Sequence, residues 1–514
     1  MSSLQKPLTI GVIGAGTMGK GIVQLMAHAG HTVLCFDATA GAAHKALAYV
    51  NDMMKRAVDK GRLSSSAAAA VAASMRPCAG LEDLDACDVV IEAIVEDLEA
   101  KRAIFRALEE VVSSSAILAS NTSSLTVADI AAACVHPERV AGLHFFNPVP
   151  LMKVVEIVAA VRTRTEVTNA LRSLVEGTGH RAVVAQDQPG FLVNHAGRGL
   201  YTEGLRIVEE HVATVNDVDT LMREAAGFRM GPFELLDLTG LDVSGKVMES
   251  IYSQFQQEPR FRPSSLVPPR IAAGLLGRKS GEGWYHYASD GARIPASITL
   301  PPPPASLAVW IDPEAQDRQA LMELVVSSGA KLAADPSEDC LIMVQPWGED
   351  VSSVCAQRGF DARRCVGVDP LPGIGRHRTL MLSIATEPAW SDAAWSLLAS
   401  DGISVTVIND SPGFVTQRVL AVIVNIAANI AQRRIASVED LEIAVSLGLG
   451  YPNGPLSWGD KLGAATVLRI LRNLQASTGD PRYRPSPWLV RRAELGLSLL
   501  MPDAQTRKHE PAMY

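Results

Sequence analysis

A histidine and a glutamate twelve residues apart, His144 and Glu156, carry the chemistry this chain is most suited to perform. His144 closes the apolar run Val140–Phe145, and Glu156 sits inside the next one, Val154-Val-Glu-Ile-Val158. An imidazole is the side chain best matched to proton abstraction near neutral pH. A carboxylate in an apolar strand is expensive unless paired, and pairing with one ring nitrogen fixes the tautomer at the other. Asn147-Pro148 then breaks the strand and leaves the imidazole beside a loop. Ser123, in Ser120-Asn-Thr-Ser-Ser124, and Asn194, just after Pro189-Gly-Phe191, are polar groups in apolar surroundings that can bond an alcohol or carbonyl oxygen. The same serine run also reads as a helix start, with Ser124 capping Leu125–Ala133.

A nucleotide signature precedes these residues. Gly14-Ala-Gly16-Thr17-Met18-Gly19 follows a predicted strand and opens a predicted helix. The glycines allow a tight turn, close backbone approach to a pyrophosphate and close helix packing, and the helix N-terminus faces the phosphates. Asp37 ends the second predicted strand, eighteen residues past Gly19, where an acid accepts the ribose hydroxyls. Ala38 and Thr39 follow it rather than arginine, so NAD is expected over NADP, with FAD a minor alternative. A hydride acceptor beside a proton acceptor makes an alcohol dehydrogenase.

The elements that must position these groups alternate through the first half. Strands are expected over 8–13, 31–36, 88–93, 116–119 and 140–145, with helices over 19–29, 40–60 and 99–112 between them, predicting a parallel sheet covered on both faces. Six domains and segments follow from composition: a Rossmann-type NAD-binding domain (1–186), an all-helical domain (187–288), a proline-rich linker (289–306), a reduced Rossmann-like domain (307–404), a second helical domain (405–500) and a tail (501–514). At 514 residues the chain is too long for one core.

The second half repeats the first. Asp187-Gln-Pro-Gly-Phe191 recurs as Asp410-Ser-Pro-Gly-Phe414, and at the same offset of 223 Asp217 falls on Asp440, Gly231-Pro232 on Gly454-Pro455, Asp237 on Asp460 and Asn194 on Gln417. Upstream, Arg364-Cys-Val-Gly-Val-Asp369 echoes Arg139-Val-Ala-Gly-Leu-His144, and Leu380-Met-Leu-Ser383 echoes the strand of Glu156. That alignment puts Asp369 at the position of the base and Ser383 at that of the carboxylate, with no glycine fingerprint. The second half is therefore expected to be a degenerate duplicate without a site. Its helical domain is expected to pack on the first as an intramolecular pseudo-dimer; a homo-oligomer is the other arrangement considered.

Bulk composition excludes some functions. A net charge of −8 leaves no global basic footprint for nucleic acid. Seven cysteines without Cys-x-x-Cys spacing suit a reduced, cytoplasmic compartment and offer no metal site. The chain opens without a signal-peptide pattern. The apolar stretch 419–431 is judged too short for a membrane span, so no membrane partner is expected.

With these residues in hand, the chain resembles the 3-hydroxyacyl-CoA dehydrogenase family over about residues 8–287. The likeness is carried by Gly14–Gly19, Glu92-Ala-Ile-Val-Glu96, Ser120–Ser124, His144-Phe-Phe-Asn-Pro148, Pro189–Asn194 and Gly277-Arg-Lys279-Ser-Gly-Glu-Gly-Trp-Tyr285. The second half looks like the extension of long bacterial members that act on short or dicarboxylic 3-hydroxyacyl-CoA in aromatic-acid catabolism. The resemblance implies NAD as cofactor, an acyl-CoA substrate, His144 as base and Glu156 as its partner. Ser123 and Asn194 would contact the substrate near its 3-oxygen. Glu96, Lys101, Asn121 and Lys279 would contact NAD, and Lys60 and Asn147 would lie on the CoA-substrate side. His195 departs from the arginine common after that asparagine. The rival functions are a dehydrogenase of free β-hydroxyacids and a non-enzymatic NAD-binding structural or sensor protein.

Overall fold

A computed structural model describes residues 6–288, 301–302 and 306–503. Most of the expected linker, nearly all of the tail and the first residues of the chain lie outside them. The chain divides into two compact units. The first holds residues up to His195 together with Arg433–Leu449 from the second half; the second holds Ala196–Gln432 and Gly450–Met501.

The first unit is built on an eight-stranded sheet of order β3-β2-β1-β4-β5-β6-β7-β8. Its strands are β1 (Thr9–Ile13), β2 (Thr32–Phe36), β3 (Met75–Pro77), β4 (Val89–Glu92), β5 (Ile117–Ser120), β6 (Val140–Phe145), β7 (Val154–Ala159) and β8 (Arg181–Gln186). Ile10, Val12, Ile91, Leu143 and Val155 pack on one face and Ile13, Val90 and Leu118 on the other, all essentially inaccessible to water. Each fully buried aliphatic side chain contributes roughly 1.5–3 kcal/mol, which is why such strands are apolar throughout. Strand order reverses at β1, with β2 and β3 laid down on one side and β4, β5 and β6 on the other, all parallel, and a cofactor crevice opens at such a switch point.

The sheet is mixed rather than all parallel, because β7 runs antiparallel to β6. The short connection after Phe145 permits only a hairpin-like return, since a parallel crossover needs a dozen residues or more. The same pairing sets His144 directly across from Glu156. Strands β3 and β8 and the helices Ser65–Ser74 and Thr165–Gly177 were not expected from the sequence.

The second unit contains a six-stranded sheet of order β10-β9-β11-β12-β13-β14. These strands are β9 (Ala308–Ile311), β10 (Lys331–Leu332), β11 (Leu341–Val344), β12 (Cys365–Val368), β13 (Arg378–Leu382) and β14 (Val405–Ile408). Its one antiparallel pair is β12 with β13. Here the expected domain boundary at 405 is corrected: β14 is a sheet strand at residues 405–408, as β8 is in the first unit, and helices begin only after the Asp410 turn.

Two further expectations change. The apolar run 419–431 belongs to an 18-residue helix, Val415–Gln432, long and apolar enough by composition to cross a membrane. It is the central helix of the second unit, with 89% of that window buried. Helices Arg198–Glu209, Pro455–Leu462, Ala464–Thr478 and Pro487–Leu495 cover it. The expected capping by Ser124 is also absent. The helix runs Val127–Ala131, and the Asp187 carboxylate accepts the Val127 and Ala128 N–H groups at 3.0 and 2.7 Å. An ionised acceptor does this better than a hydroxyl, and Ser124 is engaged elsewhere.

The two helical segments do pack together inside the second unit. Helix Arg198–Glu209 lies along Val415–Gln432, and Gly199 lets the backbones close: a β-carbon there would sit 3.1–3.2 Å from Ile423.

Candidate active site

Every group that the dyad needs converges on the carboxyl ends of β4, β5 and β6 and on the turn after β8. His144 Nδ1 lies 2.6 Å from Glu156 Oε2. The other carboxylate oxygen, Oε1, accepts main-chain N–H groups from Leu192 at 2.9 Å and Val193 at 2.7 Å. Glu156 is fully buried and His144 nearly so. Three contacts converge on the Glu156 carboxylate, and a proton on Nδ1 facing it would leave the Nε2 lone pair free. Phe146 and Phe191 flank the imidazole at ring-centroid distances of 4.4 and 5.9 Å. The imidazole is thereby held in one orientation in an apolar setting.

Beside it, Asn121 Oδ1 accepts the Phe145 N–H at 2.8 Å, tying the end of β5 to the end of β6. Ser123 sits on the following turn, held by Glu96: Glu96 Oε1 accepts the Ser123 and Ser124 N–H groups at 2.8 and 3.0 Å and the Thr122 hydroxyl at 2.8 Å. Burial works to raise the Glu96 pKa, but the Lys101 ammonium and these hydrogen bonds outweigh it and hold it below the usual carboxylate range. Asn194 lies in the short helix Val193–Ala196, immediately after the two N–H groups that grip Glu156. Asn147 is exposed on the loop after β6.

The glycine loop has the shape expected of it. Gly14 has φ +99°, and a β-carbon there would fall 2.4 Å from the Ala93 carbonyl oxygen. A β-carbon on Gly19 would fall 1.7 Å from the Gly14 oxygen. At Gly16 a β-carbon would meet nothing within 4 Å, so that glycine faces open space at the start of helix Thr17–His28. That helix has no side-chain cap and no acid in its first turn, leaving its N-terminal dipole for an anion. Gly16 and Thr17 are exposed and Met18 half-buried beside them. Asp37 Oδ2 accepts the Ala15 N–H at 2.7 Å and Oδ1 the Thr39 N–H at 2.8 Å. Partial burial opposes ionisation of Asp37, but those amides prevail and lower its pKa. A carboxylate has about four lone-pair sites, so Asp37 can brace the loop and still accept ribose hydroxyls. An NAD pyrophosphate and adenosine ribose fit this cradle.

Two residues assigned to NAD by resemblance stand elsewhere. Lys101 is corrected: it is fully buried, with Nζ 2.7 Å from Glu92 and 3.3 Å from Glu96, and has no surface to offer a dinucleotide. Lys101 lies on helix Leu98–Val111, and an ammonium buried against the sheet is held where carboxylates compensate it. Lys279 belongs to the second unit, where it pairs with Asp242 beside Gly240. Lys60 is exposed at the end of helix Ala42–Asp59, with Lys55, Arg56 and Arg62 exposed around it. Glu92, quoted for its motif but given no role, is the residue that sequence reasoning missed. It accepts from Lys101, the Ser120 hydroxyl at 2.6 Å and the Ile94 N–H at 2.7 Å, and so ties β4 to β5 under the loop that carries Asn121 and Ser123.

The second sheet repeats much of the first sheet's scaffold. Asp410 accepts the Val351 and Ser352 N–H groups as Asp187 does those of Val127 and Ala128. The Asn409 N–H donates to the Val212 carbonyl as the Gln186 N–H does to that of Ile435. Gly367 pairs with Met381 where Gly142 pairs with Val158, which puts Asp369 at the position of His144. The same register puts Thr379, not Ser383, at the position of Glu156, and Thr406 opposite it where Val183 stands opposite Glu156. Ser383 instead matches Ala160: its N–H bonds Thr386 Oγ1 as that of Ala160 bonds Thr163 Oγ1. The sequence alignment slipped because the connection between β12 and β13 differs in length from that between β6 and β7. Asp312 and Glu314 follow β9 where the glycine loop follows β1, and both engage Arg358.

Asp369 is wholly buried, accepting from Gln417 Nε2 at 3.0 Å, the Leu371 N–H at 3.0 Å and the Thr416 hydroxyl. Burial pushes its pKa up to about 6 despite those bonds. A folded pKa above the unfolded value favours the protonated fold at low pH. The penalty grows between about pH 4 and 6 and is complete above, at about 3 kcal/mol. Asp369→Asn keeps an oxygen for Gln417 and Leu371 and places an amide toward Thr416. Its thermal midpoint should exceed the parent's at pH 7.5, with the gain about halved at pH 5.

The model for the 3-hydroxyacyl-CoA dehydrogenase NAD-binding domain matches residues 9–188. That for the 3-hydroxyacyl-CoA dehydrogenase C-terminal domain matches 190–287 and again 413–498. The 3-hydroxyadipyl-CoA dehydrogenase of Escherichia coli K12 is 36% identical over 487 residues, covering 95% of this chain and 98% of that protein. The 3-hydroxybutyryl-CoA dehydrogenase of Clostridioides difficile is 36% identical over 280 residues, covering 54% of this chain and 99% of the relative. A crystal structure of 3-hydroxybutyryl-CoA dehydrogenase from E. coli K12 superposes with a TM-score of 0.84 at 35% identity, covering 96% of this chain and 99% of that one.

Proposed function

The chain belongs to the 3-hydroxyacyl-CoA dehydrogenase family, and from that premise we propose how its residues divide the work. It carries out the NAD-dependent oxidation of 3-hydroxyacyl-CoA to 3-ketoacyl-CoA. The observation that carries the mechanism is the buried contact of His144 with Glu156 at 2.6 Å. His144 Nε2 takes the proton from the 3-hydroxyl. Glu156 stabilises the imidazolium and keeps the ring in place. Ser123 and Asn194 bond the 3-oxygen or the thioester and align the substrate's C3–H bond. Bound NAD supplies the hydride acceptor. Gly14, Gly16, Thr17, Met18, Gly19 and Asp37 hold it, with Glu96 and Asn121 shaping the loop on its nicotinamide side. Lys60 meets the phosphates of CoA, and Asn147 lies on the substrate side.

The second half is, in this reading, a duplicate that has lost its site. It lacks counterparts of the glycine loop, His144 and Glu156. Among the described residues its sheet has six strands against eight, and the helix capped by Asp410 follows β11 directly beside β9. The apposed helices Arg198–Glu209 and Val415–Gln432 support an intramolecular pseudo-dimer. Short-chain or dicarboxylic acyl groups are the substrates favoured, by likeness to relatives named for 3-hydroxybutyryl-CoA and 3-hydroxyadipyl-CoA. The test is NADH formation with (S)-3-hydroxybutyryl-CoA and 3-hydroxyadipyl-CoA against free 3-hydroxybutyrate. The thioesters should be turned over at least a hundredfold more efficiently; equal use of the free acid would contradict the reading.

A further inference from the structure

We infer that the second half supplies a positioning element to the one dehydrogenase site: residues Arg433–Leu449 brace the turn that holds Glu156. This rests on the dehydrogenase reading above. The segment belongs to the same compact unit as the glycine loop and the dyad. It meets the first half at both ends of the turn 187–193. At the entry, the Ile435 carbonyl accepts the Gln186 N–H at 2.8 Å, Ala436 bridges Ala185, and Arg433 Nη2 donates to Gln188 Oε1 at 2.7 Å. Along β8, Asp440 Oδ2 faces the Val184 N–H at 3.3 Å and the Arg172 guanidinium at 3.7 Å.

At the exit the contact is closest. Gly448 ends helix Val438–Gly448, and a β-carbon there would sit 3.0 and 3.1 Å from the Val193 methyls and 3.3 Å from a Val154 methyl. Its φ is not among the positive ones, so backbone conformation does not call for glycine. Glycine in a helix costs stability relative to alanine; here the close approach accounts for it. Val193 is the residue whose N–H holds Glu156 Oε1 at 2.7 Å, and Val154 lies two residues before Glu156 on β7. A line of contacts therefore runs from Gly448 through Val193 to Glu156 and His144. Gly448 is a positioning residue: it touches no reacting atom, but it fixes where the carboxylate can sit. This also gives the non-catalytic half a reason to be retained.

Catalysis tolerates little displacement of such a group, since misplacement of about 1 Å costs on the order of a hundredfold in rate. Gly448→Val in the full-length protein should lower kcat at least tenfold while leaving the KM for NAD and the NADH dissociation constant within twofold. Adding Val193→Ala removes the crowded methyls and keeps the main-chain N–H, so the double variant should recover most of the lost kcat. Retention of kcat within twofold in Gly448→Val would overturn the inference. So would a loss that Val193→Ala does not relieve, or one matched by weakened NADH binding. If the valine variant does not fold, Gly448→Ala with and without Val193→Ala carries the same comparison, with a loss of about threefold expected and relieved. Failure of the unmodified protein to oxidise any 3-hydroxyacyl-CoA would instead sink the dehydrogenase reading.

Discussion

His144→Gln is expected to lower kcat by about a thousandfold, within the range a positioned general base contributes, while NADH binds as before. Glutamine fills similar space and can still donate an amide hydrogen to Glu156, so the buried carboxylate is not stranded. What it lacks is an atom that accepts and holds a proton at the position of Nε2. The cradle around Gly14, Gly16 and Asp37 is built from other elements and should be undisturbed. Stopped-flow reduction of acetoacetyl-CoA by NADH would read the chemical step, and NADH fluorescence titration the binding. Turnover near the parent's rate would remove His144 from the role of base.

The second large effect is on stability. Arg418, on the central helix Val415–Gln432, is buried with its guanidinium 2.7 Å from Glu203 and 2.8 Å from Glu210, and it donates to Ser411 and Tyr483. Glu203, on helix Arg198–Glu209, also accepts the Tyr483 hydroxyl at 2.8 Å. The pair thus joins the helical segments of the two copies. Burial alone would raise the Glu203 pKa, but Arg418 and Arg482 outweigh it and lower it. A depressed folded pKa adds stability above the unfolded carboxylate value, lost as pH falls through the folded one. Removing one partner of a buried pair typically costs about 3–5 kcal/mol because a charge is left uncompensated. Arg418→Met should therefore lower the thermal midpoint near neutral pH by about 10 °C, at the few degrees per kcal/mol usual for units of this size. The double change Glu203→Met with Arg418→Met should recover much of the loss, since apolar replacement of a whole buried pair is often neutral. A single variant as stable as the parent would show that the pair contributes nothing.

Local chemistry made part of this structure legible. Gly14–Gly19 and Asp37 could be read because the tight turn, the helix start and the acid at the strand end that braces the loop each demand a residue type at fixed spacing. His144 and Glu156 could be read because a carboxylate in an apolar strand requires a partner and the intervening loop is short. The repeat was legible from Asp187 onward, where no gap intervenes. It was misread at Ser383, because one change in loop length moves every residue of β13, and only strand register identifies Thr379. Lys101 illustrates another limit: its spacing suits a cofactor contact, but its burial against Glu92 and Glu96 is a property of three dimensions. The docking of Arg433–Leu449 on β8 left no sequence signal, since Asp440 and Val184 lie 256 residues apart. Its trace is a glycine without a turn to explain it.

One working dehydrogenase site in a duplicated chain, built on the first sheet and braced from the second half, should hold one cofactor. Titration of the full-length protein with NADH, followed by cofactor fluorescence, tests this most directly. The titration should saturate at one NADH per chain, with the site abolished by Gly16→Asp and unaffected by Asp369→Asn. Saturation at two per chain, or a site that survives Gly16→Asp, would contradict it.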